Sequence, residues 1–239
     1  DPHGCVRIWF FPEYIERITP DGKVKEIPEG LYSITYDPVG VDKEKNEITN
    51  KHSHNSISVW MNPHAINGFK SKKVAAYYGR PDRLEEADMI CYQLARFYNC
   101  KGTTNVEINR GETVSNFKKW GATSYLGFEP VCVWEASIQE AYSQTYGYSI
   151  GDNAKKLNAI RLLKEYLYEE VGKDEEGNPV RNFHLIYDYQ AILELKKWNS
   201  KGNFDRVSEM LLRGIEWKAA ELKGLHDLEN RQPLTAENI

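Results

Sequence analysis

Three acidic residues stand where acids are costly. "LYSITYDP" puts Asp37 at the end of an alternating run and directly before Pro38, "TTNVEIN" puts Glu107 inside a second run, and "GNFDRVSEMLL" puts Asp205 at the start of a helical pattern. Acids are depleted in strands because charge is expensive on a half-buried pleated surface, so Asp37 and Glu107 ask for a compensating partner. A divalent cation would be one. Mg²⁺ and Mn²⁺ take oxygen ligands, and two such ions held about 4 Å apart by three or four carboxylates activate water and stabilise the leaving oxygen in phosphodiester cleavage. A plainer alternative is local: with 35 acids in the chain, Asp37 can cap a turn and Asp205 a helix. Spacing by itself favours the plainer alternative.

The elements that must position these acids follow from hydrophobic period. Tyr32, Ile34 and Tyr36 alternate with Ser33, Thr35 and Asp37, which predicts a strand with Asp37 on its mixed face. A polar stretch over 41–55 reads as a loop, "SISVWM" as a second strand, and "VAAYYG" at 74–79 as a third, most simply an antiparallel meander. Apolar residues at three- and four-residue steps then predict a helix over 83–98, with Asp82 as its N-cap. "TTNVEIN" is a fourth strand, and "GETVSNFKKWG" a short helix ended by Gly121. The region 122–150 has no clear period. Beyond it, 152–171 reads as a helix capped near Asp152, "DEEGNP" as a turn, "NFHLIYD" as a strand or edge, and "YQAILELKKW" and "NFDRVSEMLLRGIEWKAAEL" as helices. The order βββαβα fits a mixed α/β sheet flanked by helices.

Composition bounds the rest. The chain has 239 residues, 41% hydrophobic and 28% charged, with six Trp, fifteen Tyr and eight Phe, which is enough to bury a sizeable core and argues against disorder. No apolar run approaches the ~20 residues that span a bilayer. Asp1 in place of an initiating Met, and the lack of a basic-then-apolar leader, read as a fragment without a signal peptide. Cys5, Cys91, Cys100 and Cys132 lack metal-type spacing and read as buried free thiols, which suits a reducing cytoplasm. The formal charge of −4 disfavours broad phosphate binding, so any nucleic-acid contact must come from local clusters. The candidates are Lys70, Lys72 and Lys73 before the third strand, then Lys118, Lys119 and Lys155, each of which reads equally as a solvated face.

The series "ITYDP", "NVEINRG", "SIGDNAKKLNAIRLLKEYL" and "AILELKKWNSKGNFDRVSEMLL" resembles the nuclease half of the large terminase subunit of tailed bacteriophages, over about Leu31 to Leu222. The resemblance implies a ribonuclease H-like fold, a mixed central β-sheet flanked by α-helices. It divides the chain into a linker or added edge element at 1–30, the nuclease domain at 31–224 and a polar tail at 225–239. It further implies a two-metal-ion endonuclease, using Mg²⁺ or Mn²⁺, that cuts concatemeric double-stranded viral DNA in the host bacterial cytoplasm. Asp37, Glu107 and Asp205 match the family's metal-binding and catalytic positions, with Asp37 touching both ions. Glu209, one helical turn after Asp205, is an auxiliary candidate. By the same resemblance the partners are the terminase ATPase half, the portal protein and the small terminase subunit.

Two features depart from the family pattern. Many relatives carry a further Asp at the start of the second strand, where this chain has His54 and Asn55; His54 becomes an auxiliary hydrogen-bond donor or part of a polar loop. No G-x-x-x-x-G-K-[ST] loop occurs, so ATP hydrolysis by the usual phosphate loop is not expected here. The same acids would serve a junction resolvase or a transposase, and a catalytically silent docking module is the non-enzymatic alternative.

Overall fold

The computed structural model describes residues 4–39, 53–63, 70–108, 112–134, 142–199, 202 and 204–229, the last six of these by backbone alone. Its elements are β1 (Cys5–Ile8), β2 (Ile15–Thr19), β3 (Gly22–Glu26), β4 (Tyr32–Asp37), β5 (Asn55–Met61), β6 (Lys72–Gly79), α1 (Leu84–Phe97), β7 (Thr104–Val106), α2 (Thr113–Lys119), α3 (Asn153–Tyr168), β8 (Glu170–Lys173), β9 (Pro179–Arg181), α4 (Tyr189–Lys197) and α5 (Asp205–Glu229). Five strands form one mixed sheet in the order β1-β6-β5-β4-β7. The meander β4–β5–β6 is antiparallel, β1 adds an antiparallel edge on β6, and β7 joins β4 in parallel through Ile34↔Thr104 and Tyr36↔Val106. The hairpins β2–β3 and β8–β9 stand outside this sheet.

Alternation along β4 sets the two layers. Tyr32, Ile34 and Tyr36 enter a core with Ala87, Cys91 and Leu94 of α1 and Phe117 of α2. Ser33, Thr35 and Asp37 therefore face the other way, where α5 lies across β4 and β5. There Trp60 opens a second core shared with Leu162, Leu163 and Tyr166 of α3 and Met210, Leu211 and Ile215 of α5. Helices α3 and α5 meet at Gly214, where an added Cβ would lie 2.5 Å from the Leu163 nitrogen. Only glycine allows that approach of the two backbones.

Several boundaries differ from expectation for identifiable reasons. Strand β6 starts at Lys72, two residues early, because Lys72 and Lys73 continue the pairing onto Met61 and Trp60. Helix α3 stops at Tyr168, and the residues around Val171 turn into β8. "NFHLIYD" is not a strand: Asn182–Leu185 form a 3₁₀ turn, followed by Asp188, whose side chain accepts from the Ala191 N–H and caps α4. Asp82 does not cap α1; Arg83 occupies that position without a side-chain bond. Asp152 does cap α3, accepting from the Lys155 N–H at 2.7 Å. Gly121 follows α2 at φ 66°, the left-handed position it was expected to fill. The four cysteines are free thiols, three of them buried, but Cys5 is exposed on β1. Among the described residues no helix is long and apolar enough to cross a membrane. The expected loop over 41–55 and the tail 225–239 lie largely outside the described residues.

Candidate functional site

Asp37 is the last residue of β4 and stands in register with Ser56 of β5. Glu107 follows β7 directly, and its N–H donates to the Tyr36 carbonyl at 2.9 Å, extending the parallel ladder by one step. Because Val106 points into the α1–α2 core, alternation turns Glu107 to the α5 face, the face that carries Asp37. The two acids line one pocket of about 130 Å³ together with Ile150 from the segment before α3, Asn153 and Lys156 from the start of α3, and Ser208 and Leu211 from α5. Both are nearly buried, Asp37 at 8% and Glu107 at 4% exposure.

Asp205 arrives from the opposite side of β4. Its Oδ2 accepts from the His54 N–H at 2.8 Å and from the Tyr78 hydroxyl at 3.3 Å. The His54 ring stacks on Tyr78 with centroids 4.7 Å apart, which places Nδ1 3.9 Å from the same carboxylate oxygen. Since His54 immediately precedes β5, Glu107, Asp37 and Asp205 occupy the same ends of three neighbouring strands, β7, β4 and β5. Asp205 does not line the Asp37–Glu107 pocket; Ser208, one turn along α5, does. Among the described residues no three His, Cys, Asp or Glu side chains gather closely enough to hold a metal ion by themselves. The pair still fits a hard cation in donor type and number, because Mg²⁺ commonly takes one or two carboxylates and completes its shell with water and substrate phosphate.

Beneath this end of the sheet runs a buried polar layer that periodicity alone does not announce. Glu209 is fully buried and accepts from the Ser58 hydroxyl at 2.6 Å and from the Thr35 hydroxyl, while the Trp60 indole N–H donates to Thr35 at 2.7 Å. These bonds fix the second turn of α5 to β4 and β5, two residues below Asp37 and Ser56. Farther along, Lys73 pairs with Asp188 at 2.9 Å, and Arg213 donates to Asn62, Ser71 and Glu216. The only sequence signal for this layer is the run of hydroxyls at Ser33, Thr35, Ser56 and Ser58 on alternate positions.

Burial pushes the Glu209 carboxyl up to about 7, against the opposing pull of Lys73 and the hydroxyl donors. A folded-state value above the unfolded one means the protonated form is favoured on folding. The stabilisation is then complete below the unfolded value near 4.5 and is lost as pH rises through 7. Glu209→Gln, which cannot ionise, is expected to melt higher than wild type at pH 8, by on the order of 3 kcal/mol. The advantage should vanish below about pH 5. Parallel melting curves across that range check it; a constant difference at every pH would show that Glu209 ionisation is not the cause.

The lysines are arranged otherwise than expected. Lys73 is 1% exposed and paired, so it leaves the set of DNA-contact candidates. Lys70 and Lys72 stand at the β4 start, because Lys72 pairs with Met61 and Met61 with Tyr32. That end is about 17 Å along the strands from Asp37. Lys72 also lies over the Phe10 ring at 4.0 Å. Lys118 and Lys119 sit on α2, in the layer on the far face of the sheet, and Lys119 pairs with Glu85 at 2.9 Å. Lys155 is held by Glu129 at 3.1 Å and lies over Trp134. The lysine that lines the pocket with the acids is its neighbour, Lys156. Compared with known proteins, the chain matches no protein-family model and no curated protein.

Proposed function

We propose that this chain is a metal-dependent nuclease that hydrolyses phosphodiester bonds in double-stranded DNA, of the kind found in the large terminase subunit. The observation that carries the reading is the convergence of Asp37, Glu107 and Asp205, far apart in sequence, onto one end of three adjacent strands. Two of them line a single pocket. The strand order β6-β5-β4-β7, with β7 alone parallel to β4, supports a ribonuclease H-like arrangement. Asp37 and Glu107 would hold Mg²⁺ or Mn²⁺, and Asp205, anchored by His54 and Tyr78, would flank the second position. A bound divalent cation supplies an activated water and charge stabilisation at the leaving oxygen. The chain's own part is to keep three carboxylates at a fixed height above the sheet. Pro38 helps by removing the N–H that would continue the ladder past Asp37. Within a packaging motor, grip on DNA would come from the ATPase half, the portal and the small subunit, since this chain's charge of −4 neutralises few phosphates.

Incubation with supercoiled plasmid in Mn²⁺, in Mg²⁺ and in EDTA tests the reading. Nicking and linearisation are expected with either metal and not in EDTA. A four-way junction cut in clear preference to linear duplex would assign the same acids to a resolvase, and no cleavage with either metal would leave a silent docking module.

A further inference from the structure

We infer that Lys156 is the phosphate-contacting cation of the Asp37–Glu107 pocket, the side chain that holds a non-bridging oxygen of the scissile phosphodiester. The inference rests on the nuclease reading and adds a residue to it. A pocket with two carboxylates repels a phosphate, and a substrate anion enters only where positive charge offsets that repulsion. Among the described residues, Lys156 is the one basic side chain that lines the pocket. The adjacent lysine clarifies its role by contrast. Lys155 turns to Glu129 and Trp134 and is committed to holding the start of α3 against that segment. Lys156, one residue on, is exposed and lines the pocket. Its backbone is fixed, with the N–H on the Asp152 carbonyl at 3.0 Å and Asp152 itself capping the helix, so only the flexible side chain remains to follow a ligand. The other candidate DNA-contact lysines stand at the far end of the sheet, on its other face, or in ion pairs.

Two outcomes must be separated: Lys156 touching substrate, and Lys156 serving only as a resident counter-ion for the acids. A counter-ion competes with metal; a phosphate ligand acts after metal is bound. Lys156→Met, Lys156→Arg and Asp37→Asn in the full chain are compared for single-turnover cleavage of a linear duplex at saturating Mn²⁺. Mn²⁺ affinity is read by electron paramagnetic resonance, and duplex affinity with Ca²⁺ in place of Mn²⁺. Lys156→Met is expected to slow cleavage about 10²-fold, the size of losing one donor to a charged oxygen, with Mn²⁺ affinity equal or tighter. Its duplex affinity in Ca²⁺ should fall and the salt slope should shrink by about one. Lys156→Arg should recover part of both. Cleavage within twofold of wild type, or unchanged duplex affinity and slope, overturns the inference. So does a loss of cleavage matched by weaker Mn²⁺ binding. Asp37→Asn separates the two levels: if it cuts like wild type the nuclease reading itself fails, whereas an inactive Asp37→Asn beside an unaffected Lys156→Met removes Lys156 alone.

Discussion

Asp37→Asn is expected to cut plasmid at least about 10³-fold more slowly than wild type at any Mn²⁺ concentration, and Glu107→Gln to behave alike. Each exchange keeps the shape of the side chain and removes one of the two negative charges lining the pocket. Metal binding needs the charge, while the fold needs only the shape. Relief of repulsion between neighbouring carboxylates should leave the melting temperature in EDTA equal or higher. Asp205→Asn should also impair cutting, yet its remaining carbonyl oxygen can still accept from the His54 N–H, so the start of α5 should keep its place. Plasmid cleavage alongside melting in EDTA checks all three. Undiminished cutting by either Asp37→Asn or Glu107→Gln would remove the acids from the chemistry.

Arg213→Met should have the largest effect on stability, a loss of about 3–5 kcal/mol. Arg213 is 2% exposed and donates to Asn62 and Glu216 at 2.7 Å each and to Ser71 at 2.9 Å. Its guanidinium also lies over Trp60 and Tyr166. The hydrophobic stem of Met can fill much of the space, but Glu216 loses its counter-charge and the Asn62 and Ser71 oxygens lose a donor. At roughly 2–4 °C per kcal/mol for a chain of this size, the melting temperature should fall by about 10 °C. Removing the stranded acid as well, in Arg213→Met with Glu216→Leu, should restore part of the loss. A single variant that loses less than 1 kcal/mol in a denaturant titration would show the charge to be dispensable.

The parts of this structure that were legible in sequence are those with an uninterrupted period. Tyr32, Ile34 and Tyr36 announced β4, and the stripes on α1, α3 and α5 announced helices, although α5 runs on past Leu222 to Glu229, into the stretch read as a polar tail. The antiparallel meander was the simplest reading of three sequential strands, whereas the order of the elements left the place of the fourth strand open, and the structure sets it parallel to β4. What was not legible depends on partners remote in sequence. Glu170–Lys173 is too short and too polar to show alternation, and is a strand only because Pro179–Arg181 returns beside it. Lys73 reads as a solvated turn residue until Asp188, 115 residues later, is brought against it. The candidate acids were visible as types in costly places, but the 2 + 1 division of Asp37 and Glu107 from Asp205 comes from His54 and Tyr78. Lys156 was visible only as half of a Lys-Lys pair. Its separation from Lys155 arises because consecutive residues on a helix point about 100° apart.

The hydroxyl-lined underside of the sheet has a consequence for how the chain leaves the ribosome. β4, β5 and β6 emerge long before α5, and at about 5–20 residues per second the last helix follows Glu107 by roughly 5–20 s. During that interval one broad face of the meander awaits its cover. Had it been lined with Val and Leu, it would invite misassociation with other nascent chains. Ser33, Thr35, Ser56 and Ser58 can instead bond water until Glu209 displaces it from Thr35 and Ser58. The same order of synthesis means that Asp205 and Ser208 arrive last, so translation delivers the candidate site's wall only when the final helix docks.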